Sequence, residues 1–180
     1  MIGQLLRPLH AGPRHLTWNT AAALSSPASI VLASTTFAAG QSMPTRCAGR
    51  GVGDDISPAL SWTGVPEATA ELVLVVEDLS APTPRPIVHA LAVIPARLTR
   101  IPESGLTTGN GIRMGRNTLR HDGYSGPRPI PGHGPHTYVF QLFALRRASG
   151  LGDGFTKRDV VAAIAGAVTA KGRIDGIYQR

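Results

Sequence analysis

The sequence predicts a mainly β domain with antiparallel pairing and one helix at its edge. Three observations predict it. Glycine (21) and proline (15) supply a fifth of the 180 residues, punctuation that suits many short elements joined by turns. Three unbroken apolar runs read as strands buried on both faces. A single clear helical period occurs, late in the chain, so the regular βαβ alternation of a parallel sheet is missing.

The elements follow in order. Residues 1–27 mix polar residues, proline and alanine without a period and are expected to form an N-terminal extension that packs on the domain. The domain itself is expected to span 28–180, starting near Ala28. A first short strand is expected at Ser29–Ala33 and another around Leu60–Trp62. Glu71–Glu77 is a valine and leucine run with no polar break, and Ile87–Ile94 is a second, ended by Pro95. Thr137–Leu145 is the longest, and Ile174–Tyr178 is a weaker strand at the end. The helix begins after Thr156, a good N-cap, with Asp159 three residues on near its positive end. Val160, Ile164, Ala167 and Val168 share one face, and Gly172 is its expected stop.

Composition narrows the classes of function. A chain of this length can bury a sizeable core without metal or disulfide. One cysteine, Cys47, excludes an intrachain disulfide framework and a thiolate-only zinc site. No stretch approaches the roughly 18 apolar residues of a membrane span. The run ending at Ala33 is too short for a signal peptide and leads into Ser34-Thr35-Thr36, so a cytoplasmic location is expected. The net charge of +7 comes from arginines spread along the chain, with Lys157 and Lys171 the lysines. Such charge attracts nucleic acid nonspecifically. A dedicated binder adds a basic helix or interleaved aromatics; aromatics are 5% here, so specific nucleic-acid binding is not expected.

Three polar residues sit at or within the apolar runs: Asp78 after the first, His89 inside the second, His136 just before the third. One such histidine alone is ordinarily a structural residue satisfied by a backbone carbonyl. Three that converge form a pocket with a few polar contacts in an apolar wall, the usual form of a small-ligand site. The connections beside them are stiff. Asp78-Leu79-Ser80-Ala81-Pro82 runs into Thr83-Pro84-Arg85-Pro86, and residues 124–138 are dense in proline, glycine and histidine.

These residues carry a resemblance. Asp78-Leu79-Ser80-Ala81-Pro82 resembles the Asp-Pro-Asp-Ala-Pro loop of the phosphatidylethanolamine-binding protein family, within it the bacterial Raf-kinase-inhibitor-like branch. His89 matches the histidine of the following strand. Gly126–Tyr138 is similar to the family's Gly-Pro-x-Pro-Pro-x-Gly-His-Gly-Pro-His-Arg-Tyr loop. Ser57-Pro58-Ala59-Leu60-Ser61-Trp62 matches its Ser-Pro-x-Leu-x-Trp segment. The resemblance runs from about Ser29 to Tyr178. It implies a sandwich of two antiparallel sheets with a peripheral C-terminal helix, and a pocket for a small anion or phosphorylated head group. Carried over by position, the ligand-binding residues are Asp78, Ala81, Pro82, His89, Pro129, His136 and Tyr138. Protonated imidazoles are expected to attract the anion, with Asp78 orienting one of them.

Departures from the family pattern are Leu79 and Ser80 in the first loop, Ala90 where a tryptophan often follows the strand histidine, and Ala167 where a histidine is common. Loss of the second acid is expected to make the pocket more receptive to anions and to remove a loop brace, and Ala90 to widen one wall. Other motifs say less. Gly49–Gly53 lacks the lysine and the following helix of a phosphate loop and reads as a turn. His121, His133 and His136 with Asp78 or Asp122 match no zinc spacing. Cys47 reads as buried filler. The expected function is therefore a non-catalytic binding protein, with no cofactor or resident metal, that modulates a kinase or protease by family resemblance and self-associates as a homodimer. The alternative is an ester or phosphoester hydrolase, metal-assisted or not, using His89 or His136 as base, with Ser80 the available nucleophile.

Overall fold

The computed structural model describes residues 2–20, 23, 25–27 and 29–180. Its elements in chain order are α1 (Ile2–Leu6), β1 (Val31–Ala33), β2 (Leu60–Thr63), β3 (Glu71–Asp78), β4 (Ile87–Pro95), β5 (Arg100–Ile101), β6 (Arg113–Met114), β7 (His136–Leu145), α2 (Lys157–Ile164) and β8 (Val168–Tyr178). A three-stranded sheet has the order β1-β2-β5 and a five-stranded sheet the order β6-β4-β3-β7-β8. Every paired neighbour is antiparallel. The mainly β class and the two antiparallel sheets are as expected; the two-residue strands β5 and β6 are too short to leave a period.

The unbroken apolar runs are explained by burial of the large sheet on both faces. Leu72, Leu74 and Val76 of β3 pack with Phe140 and Leu142 of β7 against Leu32, Leu60, Trp62 and Ile101 of the small sheet. The alternate residues Val73 and Val75, with Phe143 and Leu145, pack under Val160 and Ile164 of α2. Each such buried side chain contributes about 1.5–3 kcal/mol. Strand alternation therefore runs between two apolar layers instead of between core and water.

The N-terminal segment belongs to the second layer. Two short 3-10 turns, Pro13–His15 and Thr17–Asn19, lead it across the sheet. Thr17 N–H donates to Glu77 (2.8 Å) and Trp18 N–H to Gln141 (2.6 Å). Glu77 is wholly buried. It also accepts from Gln141 Nε2 (2.8 Å) and from Lys157 Nζ (2.5 Å) of α2. One carboxylate thus joins the segment, the sheet and the helix. Ala28, where the sequence puts the start of the domain, lies outside the described residues.

The late helix is shorter than the sequence suggests. The Asp159 carboxylate accepts both the N–H and the hydroxyl of Thr156 (2.8 Å each), which sets the start. The helix ends at Ile164, and Gly166 follows with φ of 61°. Val168–Tyr178 is an eleven-residue strand paired with β7 along its length. Gly172 is not a helix stop. The Ile30 backbone crosses there, and a Cβ would meet its carbonyl oxygen at 2.5 Å. Strand glycines mark such close approaches. Residues 168–178 gain a full ladder from β7, and that tertiary pairing overrides the local helical period.

β8 lies at the end of the large sheet, and loops occupy its outer edge. Lys171 N–H donates to Pro27 O and Lys171 O accepts from Ile30 N–H. Asp175 O accepts from Gly40, Ile177 O from Met43, and Ile177 N–H donates to Gln41 O.

Candidate functional site

The site forms where β3, β4 and β7 reach one end of the large sheet. Asp78 and Tyr138 are cross-strand neighbours, and His136 lies two residues from Tyr138 on the same face. His89 reaches them through an irregularity. Val76 pairs with Ala90 but Glu77 pairs with Val88, so His89 is the extra residue of a β-bulge. A bulge re-aims a side chain that regular alternation would send to the opposite face. The His89 ring stands edge-on to Tyr138 at 5.1 Å between centroids, and the His136 ring stacks on Tyr138 at 6.4 Å.

All seven sequence-predicted residues, Asp78, Ala81, Pro82, His89, Pro129, His136 and Tyr138, border one cavity of about 380 Å³. Thr83, Ile87, Leu119, Arg128 and Ile130 complete its wall. Arg128 is the cation among the lining residues and was not singled out in the sequence; its place in the Pro-rich loop was the available signal.

Each imidazole has a defined set of partners. His136 Nδ1 lies 2.7 Å from Asp78 Oδ2, and its Nε2 lies 2.8 Å from His133 Nδ1. His133 Nε2 in turn lies 2.9 Å from the Leu6 carbonyl of α1. Both ring nitrogens of His136 are therefore engaged inside the protein. His89 Nδ1 lies 2.5 Å from the Ser125 carbonyl, which can only accept, so Nδ1 carries the hydrogen. In the neutral ring Nε2 is then a lone pair, and it is buried without a partner. The Tyr138 hydroxyl is likewise buried and unpartnered. The expectation of two charged imidazoles pointing at an anion needs correction: one is spent on Asp78 and His133, and burial disfavours charge on the other.

Burial holds the His89 imidazole below its ordinary 6.5, against the opposing pull of the Ser125 carbonyl and Asp78. The unfolded chain then binds more protons than the fold once the pH drops below about 6.5. Stability is fully present above that value and falls as pH descends toward the lower folded value. Urea midpoints are expected to fall between about pH 7 and pH 5.5, before the carboxylates titrate, and to fall less in His89→Gln.

Neighbouring loops hold these groups in place. Asn117, buried and unremarked in the sequence, donates to Ser125 Oγ (2.9 Å) and Gly123 O (3.2 Å) and accepts from Leu119 and His121 N–H (2.9 and 3.1 Å). Ser125 N–H returns to His89 O (2.9 Å). Asp55 accepts from Gly126 N–H (2.7 Å). Ser80 braces the first loop in place of the absent acid: its hydroxyl accepts from Thr137 N–H (3.0 Å), and its N–H donates to Asp78 Oδ1 (2.8 Å). That corrects the expectation of a lost brace. No hydrogen bond among the described residues joins the Ser80 hydroxyl to an imidazole. Ala90 does not border the cavity; it is buried in the core between the sheets. Cys47 is buried, which pushes its thiol up to about 11. His121 borders other surface clefts, and Asp122 pairs with Arg116 at 2.9 Å.

The N-terminal segment closes the back of the site. Gly3 of α1 rests on Pro131 and His133 so closely that a Cβ would collide with their backbone. Arg7 Nε donates to Gly132 O (2.9 Å), Ala11 N–H to Ala81 O (2.8 Å) and Gly12 N–H to Leu79 O (2.8 Å). Both loops that wall the cavity are thus tied to residues 3–12.

Comparison with known proteins agrees with the fold. A family model described as phosphatidylethanolamine-binding protein matches residues 33–179. A UPF0098 protein of Aquifex aeolicus is 37% identical over 131 residues, 71% of this chain and 77% of that one. The crystal structure of E. coli YbcL, titled a new member of the mammalian PEBP family, aligns with a TM-score of 0.79 at 28% identity, covering 85% of this chain and 99% of that one. A putative lipoprotein LppC of Mycobacterium tuberculosis is 32% identical over 154 residues, 83% of this chain and 72% of that one. Among the described residues no helix is long and apolar enough to cross a membrane. By the family match and the shared fold, the chain belongs to the phosphatidylethanolamine-binding protein family.

Proposed function

We propose that this chain is a non-catalytic, cytoplasmic binding protein whose pocket takes a small anion or a phosphorylated head group. One observation carries the reading: two polar atoms, His89 Nε2 and the Tyr138 hydroxyl, are buried without partners in residues that border a single cavity. Buried polar groups are nearly always paired, and an exception calls for a partner from outside the chain or a function. A ligand with polar oxygens supplies what both atoms lack. Burial and nearby Asp78 raise the Tyr138 phenol, so its O–H remains a donor at working pH. Arg128 adds a positive charge at the exposed rim. A kinase or protease, the partner class implied by resemblance, would meet that rim beside the exposed Leu119.

Calorimetric titration with inorganic phosphate tests the reading. Tyr138→Phe removes an unsatisfied hydroxyl and is expected to fold as the wild type. A hydrogen bond to a charged group contributes about 1.5–3 kcal/mol, so phosphate affinity is expected to drop about tenfold or more. Equal phosphate affinity in the two proteins would remove the pocket from consideration.

A further inference from the structure

Resting on that reading, we infer that the pocket selects an oxyanion that still carries a hydroxyl, a hydrogenphosphate or protonated phosphomonoester, through His89 Nε2. His89 Nδ1 is fixed as a donor by the Ser125 carbonyl at 2.5 Å. The remaining nitrogen presents a lone pair, which repels a bare anionic oxygen and accepts from an O–H. The charged and titratable groups around the ring are Asp78 from β3, His136 and Tyr138 from β7, Asp55 from the loop before β2, and Arg128 from the loop before β7. Burial and Asp78 keep the Tyr138 proton on its own oxygen, and Asp78 accepts from Ser80 N–H and faces His136 Nδ1. Asp55 accepts from Gly126 N–H. Both nitrogens of His136 are engaged. Arg128 does not deprotonate in proteins. Burial further disfavours a charged His89.

His89 with an unpartnered acceptor, Tyr138 with an unpartnered donor and Arg128 at the rim thus border one cavity. A ligand with an O–H beside an ionised oxygen complements that set. Inorganic phosphate keeps an O–H throughout the neutral range. A phosphomonoester loses its O–H above its second ionisation, about pH 6. A phosphodiester, the linkage of an intact phospholipid, has none. The inference thus separates a free phosphate or monoester from a diester head group within one anion chemistry.

The test is calorimetric titration of the full chain with inorganic phosphate, methyl phosphate and dimethyl phosphate, from about pH 6.5 to about pH 8.5. Dimethyl phosphate is expected to bind about tenfold or more weakly than inorganic phosphate across the range. Methyl phosphate affinity is expected to fall toward about tenfold per pH unit once its O–H is lost, with inorganic phosphate changing far less. In His89→Gln, whose amide can turn an N–H toward the ligand, inorganic and dimethyl phosphate are expected to bind within about threefold of each other. The wild-type series stands alone if that variant fails to fold. Dimethyl phosphate binding as tightly as inorganic phosphate to the wild type, or methyl phosphate affinity independent of pH, overturns the inference and leaves an anion pocket. Failure of all three to bind overturns the pocket itself.

Discussion

Glu77→Ala is expected to lower the stability of the domain by about 3–5 kcal/mol, the range for removing one partner of a buried, hydrogen-bonded ion pair. The carboxylate is wholly enclosed and receives bonds from Thr17, Gln141 and Lys157. Its loss leaves the Thr17 N–H and the Gln141 amide without acceptors in a dry layer. Lys157 keeps the His15 carbonyl (2.7 Å) and some solvent contact, which holds the effect within that range. Replacing both Glu77 and Lys157 with methionine is expected to cost less than the two single changes summed, because no uncompensated charge remains. Urea denaturation of the wild type, Glu77→Ala, the two single methionine variants and the double variant measures this. A single-site loss below about 1 kcal/mol would mean that residues 13–20 are not fastened through this carboxylate.

Asp78→Ala is expected to cost about 2–4 kcal/mol and to abolish measurable phosphate binding, because two buried donors, Ser80 N–H and His136 Nδ1–H, lose their acceptor together. Asp78→Asn is expected to cost about 1 kcal/mol or less. The reason is the run of bonds from Asp78 through His136 and His133 to Leu6 O. Both ends accept, so three hydrogens must lie along it, one more than a carboxylate and two neutral rings supply. An asparagine amide brings its own N–H to His136 Nδ1, each neutral ring then donates through Nε2, and all three bonds are made without the extra hydrogen. Equal destabilisation by alanine and asparagine would show that the run is not hydrogen-bonded in this way.

Much of the fold was legible because apolar runs and proline mark strands and their ends directly. β3, β4 and β7 each lie within a residue of the expected bounds. The failure at 165–171 has a local cause: Ala167 and Val168 fit the helical face of Val160 and Ile164, and pairing with β7 from Val168 onward decided otherwise. The composition of the pocket was legible through motif residues, since all seven border the cavity. Hydrogen-bond direction was not. That His136 spends both nitrogens internally, and that His89 is delivered by a bulge, depends on Leu6, Ser125 and a register shift far from either histidine in sequence. Asn117 carries no motif, and its role exists only once β4 and the loop after β6 are side by side.

The loops lying along β8 have a bearing on assembly. A terminal strand of this length ordinarily offers its free amides to a second copy and seeds continuous ribbons between molecules. Here the main-chain groups at Lys171, Asp175 and Ile177 are already claimed by residues 27–30 and 40–43. Strand-to-strand joining of two large sheets at those positions is closed.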